Sequence, residues 1–592
     1  MKWSRTFEAL ACQQQLYPLD KALISRNAGA WTVYSTQACQ TELDRYSRML
    51  WGLGVRKGDR VLMVPNLATH QWLFLDLAVQ QLGAISVPCH VTNQAEQFQA
   101  ILHETEATLC FFPTSASFQT FLPPSSQTSN LQIVLLEKDQ PDSIGLEELL
   151  AKADQLSLDL EEVKSQVQDT DLACIIYTSG TSGQPKGVML SHANIVSNIK
   201  AALSILPLQP GKKSLSFLPF SHIFERTTIY AYLASGTSLY LTEDRDHLLS
   251  AFRQVRPHYF TAVPRILERM YDQVLEFQAK QAWWMRRIIQ WALKLGINYR
   301  EHAKVRPMYW FQKQFARMLV FNRFRGISGG KVEAIYTGAA YLRPEIGRIF
   351  AAAGVKVREG YGMTETAPVI TMNQFSPGLN RFGTVGIPIP GVEIRIDQPD
   401  ESGEGEIIVR GPNVMQGYYK RPEETAEILS EEGWLRTGDV GKFVHRRFLK
   451  ITDRKKDIFK TSSGKYIAPM ALENHFMQSH YIEQIMVVGF QQAYVAALIR
   501  PNFELVHLWC LDEGIHWTSP QYMVHNIKVR QKIEDEIELL NQTLPNHEKL
   551  RDFHLFHDEW TVEGGHLTYT MKLIRNKIAE EFAKPIKEMF EK

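Results

Sequence analysis

Strand-like and helix-like segments alternate through most of this 592-residue chain, and that alternation predicts an α/β fold of sheets covered by helices. Two further observations divide it. After Gly383 the pattern changes to VEIRI and GEIIV between short Gly-rich turns, which predicts a small antiparallel subdomain. Beyond Lys456, the runs Ile485 to Phe490 and Tyr494 to Ile499 read as paired strands flanked by helices, which predicts a small α+β domain at the C-terminal end.

Taken in order, Arg60 to Pro65 is a predicted strand, Thr69 to Leu82 a helix, and Ala84 to Cys89 a second strand. The polar stretch Pro123 to Asn130 reads as a surface loop. Ser214 to Leu218, Thr237 to Leu241, His258 to Val263 and Val332 to Tyr336 repeat the strand pattern between helical stretches. Charge is balanced at +1 and apolar content is 44%, enough for large buried cores and without the basic bias of a nucleic-acid binder. Six cysteines are scattered with no Cys-x-x-Cys, so neither a zinc site nor a disulfide framework is expected. The first residues, MKWSRTFEALACQQQ, lack the apolar core of a signal peptide. No eighteen consecutive residues are apolar, so a cytoplasmic protein is expected, with any membrane contact peripheral.

The segment Tyr177 to Gly187, YTSGTSGQPKG, carries the most chemistry. It follows the apolar run Leu172 to Ile176 and precedes a helix-like segment opening at Ser191, so it is expected in a strand-to-helix turn. Gly180 and Gly183 let backbone approach a ligand, and the hydroxyls of Thr178, Ser179, Thr181 and Ser182 can donate to phosphate oxygens, with Lys186 close by. This is polyphosphate chemistry. It is not a Walker A loop, since Lys186 stands between Pro185 and Gly187 rather than before Ser or Thr.

The loop resembles the phosphate loop of the adenylate-forming superfamily, which includes acyl-CoA synthetases, firefly luciferase and the adenylation domains of peptide synthetases. Downstream, REGYGMTETAP at Arg358 to Pro368 is similar to the superfamily's adenine and magnesium motif. The resemblance implies Tyr361 against adenine, Glu359 accepting from its amino group, Thr364 on the α-phosphate and Glu365 on Mg²⁺. It implies Gly338, after the strand-like run, on the other adenine face. It also implies Asp439 in TGD on the ribose hydroxyls. Fifteen residues on, ITDRKKDIFKTSSGKYIAP resembles the superfamily's hinge, with Arg454 on the ribose, Lys456 as the pivot and Lys460 entering only after rotation. LTYTMKLIRNK places Lys572 where the superfamily binds carboxylate and α-phosphate oxygens. Met571 and Ser463 stand where the usual pattern has Gly.

Carried over whole, the resemblance implies an adenylate-forming fold. Its large N-terminal domain would be 1–453, with a hinge at 454–456 and a mobile domain at 457–592. The implied activity joins a carboxylate to AMP with release of pyrophosphate, using ATP and Mg²⁺, and then passes the acyl group to CoA. His222, in LPFSHIFER, aligns with a superfamily histidine near the reacting groups, and Glu225 and Arg226 beside it could simply pair with each other. LPFSHIFERT and VRPHYFTAVPRILER make the chain most like bacterial long-chain fatty acid-CoA ligases. Three other outcomes stay open: a protein-bound thiol on an acyl carrier as acceptor, a luciferase-like oxygenase, and a non-catalytic binder of fatty acid or acyl nucleotide.

From Lys280 to Arg325 eleven Lys and Arg face a single acidic residue, Glu301, among Trp and Phe residues. Trp284, Ile288, Trp291 and Leu295 recur at helical spacing, which predicts one amphipathic face and peripheral contact with an anionic bilayer.

Overall fold

The computed structural model describes residues 3–27, 29–65, 67–122, 131–140, 144–179, 185–242, 248–301, 307–562, 564–568 and 572–591. Among them, one sheet ends in a parallel run of Ile85–Pro88, Arg60–Met63, Leu109–Phe112 and Gln132–Leu135. Helix His70–Gln81 crosses between the first two of these strands in the chain; Thr69 Oγ1 accepts from Trp72 N at 3.3 Å and so starts it. A second sheet is built around Tyr259–Ala262, Ala334–Thr337 and Lys356–Gly362, all parallel. The expected layers are therefore present. Four antiparallel strands follow, Glu393–Asp397, Gly405–Arg410, Leu435–Val444 and Phe448–Arg454. The C-terminal part pairs Ile482–Val488 with Val495–Pro501 and adds Leu550–Leu555 in parallel.

The phosphate-loop candidate does not join a strand to a helix. Leu172–Ser179 pairs antiparallel with Pro185–Ser191, Thr178 lying opposite Lys186, so the segment is the end of a β-hairpin. Gly180, Thr181, Ser182 and Gly183 lie outside the described residues, as does the stretch Pro123 to Asn130. The helix opens one residue later, at His192–Ile205, capped reciprocally by Ser191 and Asn194. From that helix Asn198 Nδ2 donates to Val369 O at 2.7 Å, which ties the hairpin's sheet to the strand that follows Thr364.

Glu225 and Arg226 do not pair. They leave their helix on different faces: Arg226 Nη1 donates to Asp76 Oδ1 at 2.7 Å, with both side chains fully buried, while Glu225 accepts from Ser216. Burial pushes the Glu225 carboxyl up to about 8. The Asp76 carboxylate also accepts from Ser86 and Tyr230, so its lone pairs are well used. This buried pair joins the helices His70–Gln81 and Ile223–Ala234.

The face expected to meet a bilayer is in part packed against the core. In helix Trp283–Ile297 the buried stripe is Ile289, Ala292, Leu293 and Gly296, not the Trp284 face. Gly296 lies at the contact, where a Cβ would come within 3.1 Å of Ile349 of the helix Pro344–Ala352. Ile288, Trp291 and Leu295 are half-buried beside it, and Trp284 stays exposed. No helix of the described residues is long and apolar enough to cross a membrane.

Removing one partner of a buried ion pair strands the other charge. Asp76→Ala is therefore expected to lower the unfolding free energy by about 3–5 kcal/mol, measured by urea denaturation. The double replacement Asp76→Leu with Arg226→Met should cost less than Asp76→Ala alone, because it strands neither charge.

Candidate active site

Strand Lys356–Gly362 ends against the turn Thr364–Thr366, and Gly362 makes the close approach possible. A Cβ there would fall 1.9 Å from Pro368 O. Glu359 and Tyr361 alternate with Gly360 on this strand, and both side chains are buried. Leu342 N donates to Glu359 Oε1 at 3.3 Å, yet burial still pushes the carboxyl up to about 8. Tyr361 Oη donates to Asp439 Oδ2 at 2.6 Å. The antiparallel register sets Asp439 opposite Arg454, whose Nε donates to Asp439 Oδ1 at 3.2 Å. One carboxylate thus holds a side chain from each of two sheets.

Glu365 sits buried in the turn, with Tyr418 Oη donating to its Oε1 at 2.9 Å. Burial holds this carboxyl above its ordinary range. Lys186 lies with Nζ 5.2 Å from the Tyr418 ring centroid and pairs with Glu424, so the hairpin is linked through Tyr418 to Glu365. Among the described residues no group of three or more His, Cys, Asp and Glu is arranged to hold a metal. Glu365 with the half-buried Thr364 beside it nevertheless suits a hard cation that takes its remaining ligands from nucleotide phosphates.

Lys572 is brought to this cluster from the far end of the chain. Its ammonium is pushed down to about 8, first by burial and then by the nearby Arg454 guanidinium, against the favourable charges of Asp439 and Glu365. Two cations therefore converge on two carboxylates, which is an environment suited to further anionic oxygen.

The other expected residues are placed as follows. His222 precedes helix Ile223–Ala234, its ring centroid 5.7 Å from that of His90. Gly338 lies on the strand exit, where a Cβ would meet Gly360 O at 3.1 Å and the Phe224 ring at 3.8 Å. Thr178 and Ser179 end their strand at the hairpin tip. Lys456 is exposed in the turn after Arg454. Lys460 is not in the cluster: it is exposed on the hairpin Phe459–Lys460 and Tyr466–Ile467, with Nζ 4.5 Å from the Tyr466 ring centroid. Met571 lies outside the described residues, and Ser463 Oγ lies 2.9 Å from Thr461 Oγ1.

A narrow, mostly apolar cavity opens beside Phe224 and runs between helices His192–Ile205 and Ile223–Ala234 toward Tyr232 and Tyr336; Val369 and Met372 close another side. Two residues near the site escaped the reading from sequence. Tyr418 stands in no motif read from the sequence, and its partner Glu365 is 53 positions away. Asp453, fully buried, accepts from Arg454 N at 2.6 Å and from Met470 N at 3.2 Å, and burial pushes it up to about 7. The only signal for Asp453 was its place immediately before Arg454.

A family model described as AMP-binding enzyme matches residues 10–419, and one described as AMP-binding enzyme C-terminal domain matches 456–592. The chain belongs to the AMP-binding, adenylate-forming superfamily. A long-chain-fatty-acid–CoA ligase, FadD15 of Mycobacterium bovis, is 31% identical over 95% of this AMP-binding chain and 93% of its own. Long-chain-fatty-acid–CoA ligase 6 of Homo sapiens is 32% identical, over 88% of this chain and 77% of its own. The fold also matches solved structures. The anthranilate CoA ligase AuaEII with anthranoyl-AMP has a TM-score of 0.73 at 17% identity, covering 99% of this chain and 98% of that one. ATP-bound MatB from Rhodopseudomonas palustris has a TM-score of 0.69 at 20% identity, covering 98% and 99%. In this AMP-binding enzyme Asp439, Arg454 and Lys572 thus meet at the junction of the two matched regions.

The lysine environment gives a direct test. Competitive acetylation read by mass spectrometry should show Lys572 half-reactive near pH 8 in the free protein. Arg454→Ala should move that midpoint upward, because removing a neighbouring cation favours the ammonium form.

Proposed function

We propose that this enzyme activates a long-chain fatty acid with ATP and passes the acyl group to CoA. The observation that carries the reading is the convergence of Lys572, Arg454, Asp439 and Glu365 beside an apolar cavity. A carboxylate and a triphosphate are both anionic, so bringing them together is mainly a problem of charge and alignment. Asp439 accepts from the ribose hydroxyls and Arg454 lies beside it. Glu359 and Tyr361 flank the adenine, and the residues Thr178 to Gly183 with Lys186 take the phosphates. Thr364 lies at the α-phosphate.

Lys572 pairs with the fatty acid carboxylate and an α-phosphate oxygen. One carboxylate oxygen bonds to the α-phosphorus while the bond to pyrophosphate breaks, giving acyl-AMP. The CoA thiol then loses its proton and bonds to the acyl carbon, and AMP leaves. Glu365 is the protein ligand for Mg²⁺, which when bound supplies charge neutralisation at the phosphates. His222 borders the cavity mouth through its neighbour Phe224 and orients the acyl end.

Both steps use one acyl carbonyl, so the small domain turns about Lys456 between them, withdrawing Lys572 and admitting Lys460. The relatives named as long-chain ligases support the substrate class, and the apolar lining from Phe224 to Met372 suits an alkyl chain. The exposed aromatic segment supports delivery of that substrate from the cytoplasmic face of an anionic bilayer. Trp283 is 72% exposed, Met308 70%, Phe311 64% and Met318 63%, among basic residues such as Arg287 and Lys294.

Fatty-acid-dependent ATP–pyrophosphate exchange across chain lengths, followed by CoA addition and mass detection, tests the reaction. Exchange and acyl-CoA should both peak at long chains; exchange without acyl-CoA would contradict the acceptor. Lys572→Ala should lose exchange by on the order of a hundredfold while still converting supplied acyl-adenylate and CoA. Lys460→Ala should do the reverse. Flotation should show binding to anionic vesicles that weakens with salt and with Trp283→Ala plus Phe311→Ala; equal failure on anionic and neutral vesicles would remove the membrane contact.

A further inference from the structure

Away from the reacting groups, the C-terminal part meets the rest of the chain along helix Pro264–Ala279. Arg265 stands in that helix's first turn, and its Nη2 donates to Glu483 Oε1 at 2.6 Å. Glu268 and Glu559 carboxylate oxygens lie 3.8 Å and 3.9 Å from the same guanidinium. The Arg265 and Glu483 side chains are 22% and 20% exposed, so the pair is only partly screened by solvent. Glu483 also accepts from Arg500 of its own domain, which fixes it in place. Two weaker contacts lie nearby: the Tyr271 ring centroid is 5.7 Å from that of His480, and Arg343 Nη1 donates to Met477 O at 3.2 Å.

The same boundary also brings two carboxyls together. Near the other end of the helix, Glu276 meets the Glu504 carboxyl, which burial and then this neighbour hold above the usual range. An attractive ion pair at one end thus stands beside a carboxyl pair at the other. A boundary of this kind can hold one arrangement in the majority and still be released.

We propose that Arg265 is a positioning residue whose ion pair with Glu483 latches the small domain in the arrangement that brings Lys572 beside Arg454, Asp439 and Glu365. The latch rests on the two-step reading given above. It predicts that the pair serves acyl-adenylate formation and is broken before the thiol step. Arg265 touches none of the reacting groups, so its effect should be felt in one half-reaction only.

The test uses the full-length protein with Arg265→Ala, Glu483→Ala, their double mutant and Arg265→Lys. Pyrophosphate exchange and CoA thiolysis of supplied acyl-adenylate are measured separately. Each alanine change should lower exchange roughly three- to tenfold and leave thiolysis within about twofold, the range open to a partly exposed ion pair that biases two arrangements. The double mutant should be no slower than the worse single mutant, and Arg265→Lys should recover most of the loss. Parallel losses in both half-reactions, or single effects that multiply in the double mutant, would overturn the latch. Lys572→Ala is run alongside. If it splits the half-reactions and Arg265→Ala does not, the latch is wrong and the two-step reading stands. If the wild type catalyses neither half-reaction, that reading fails and takes the latch with it.

Discussion

The Asp439 carboxylate is where three parts of the chain meet. Tyr361 Oη reaches it at 2.6 Å from the large parallel sheet, and Arg454 Nε reaches it at 3.2 Å from the last strand before the exposed turn at Lys456. Lys572 arrives close enough to feel both Asp439 and Arg454. A charged hydrogen bond shared in this way is strong in a buried setting and costly to leave unmade. Losing it would detach the adenine strand from the strand that leads to the small domain, and the cluster of charges would lose its common reference point.

A second constraint is electrostatic. Glu359, Glu365 and Asp453 are all carboxyls held up by burial, while Lys572 is held down, so burial in the free site disfavours charge on each of them. Substrate anions and their counter-cation reverse those penalties when they bind. The buried Asp76 and Arg226 pair does a different job, fixing helix Ile223–Ala234, which lines the cavity and follows His222, to helix His70–Gln81. Stability and chemistry thus draw on charges in separate places.

Much of the site was legible in the chain itself. Tyr361, Asp439, Arg454 and Lys572 each lie in a motif picked out by its resemblance to the superfamily, and the structure brings them to one cluster. The strand and helix alternation was legible because periodicity is local. What depended on distant partners was not. Glu225 offers Arg226 a partner next to it in sequence, yet its partner Asp76 is 150 positions away. The phosphate loop was read as leading into a helix, because a second strand of seven residues, Pro185–Ser191, looks like the polar end of the loop until its pairing with Leu172–Ser179 is seen. The Trp284 stripe had the correct period, but the face that packs has Gly296 against Ile349. The cavity walls come from several elements, and no single motif announces them.

The most direct measurement follows one oxygen atom. A long-chain fatty acid labelled with ¹⁸O in its carboxylate is incubated with the enzyme, ATP, Mg²⁺ and CoA, and the products are weighed. Attack of the carboxylate on the α-phosphorus predicts one labelled oxygen in AMP and none in pyrophosphate. Label in orthophosphate or pyrophosphate, or unlabelled AMP beside acyl-CoA, would contradict an acyl-adenylate formed at Asp439, Arg454 and Lys572.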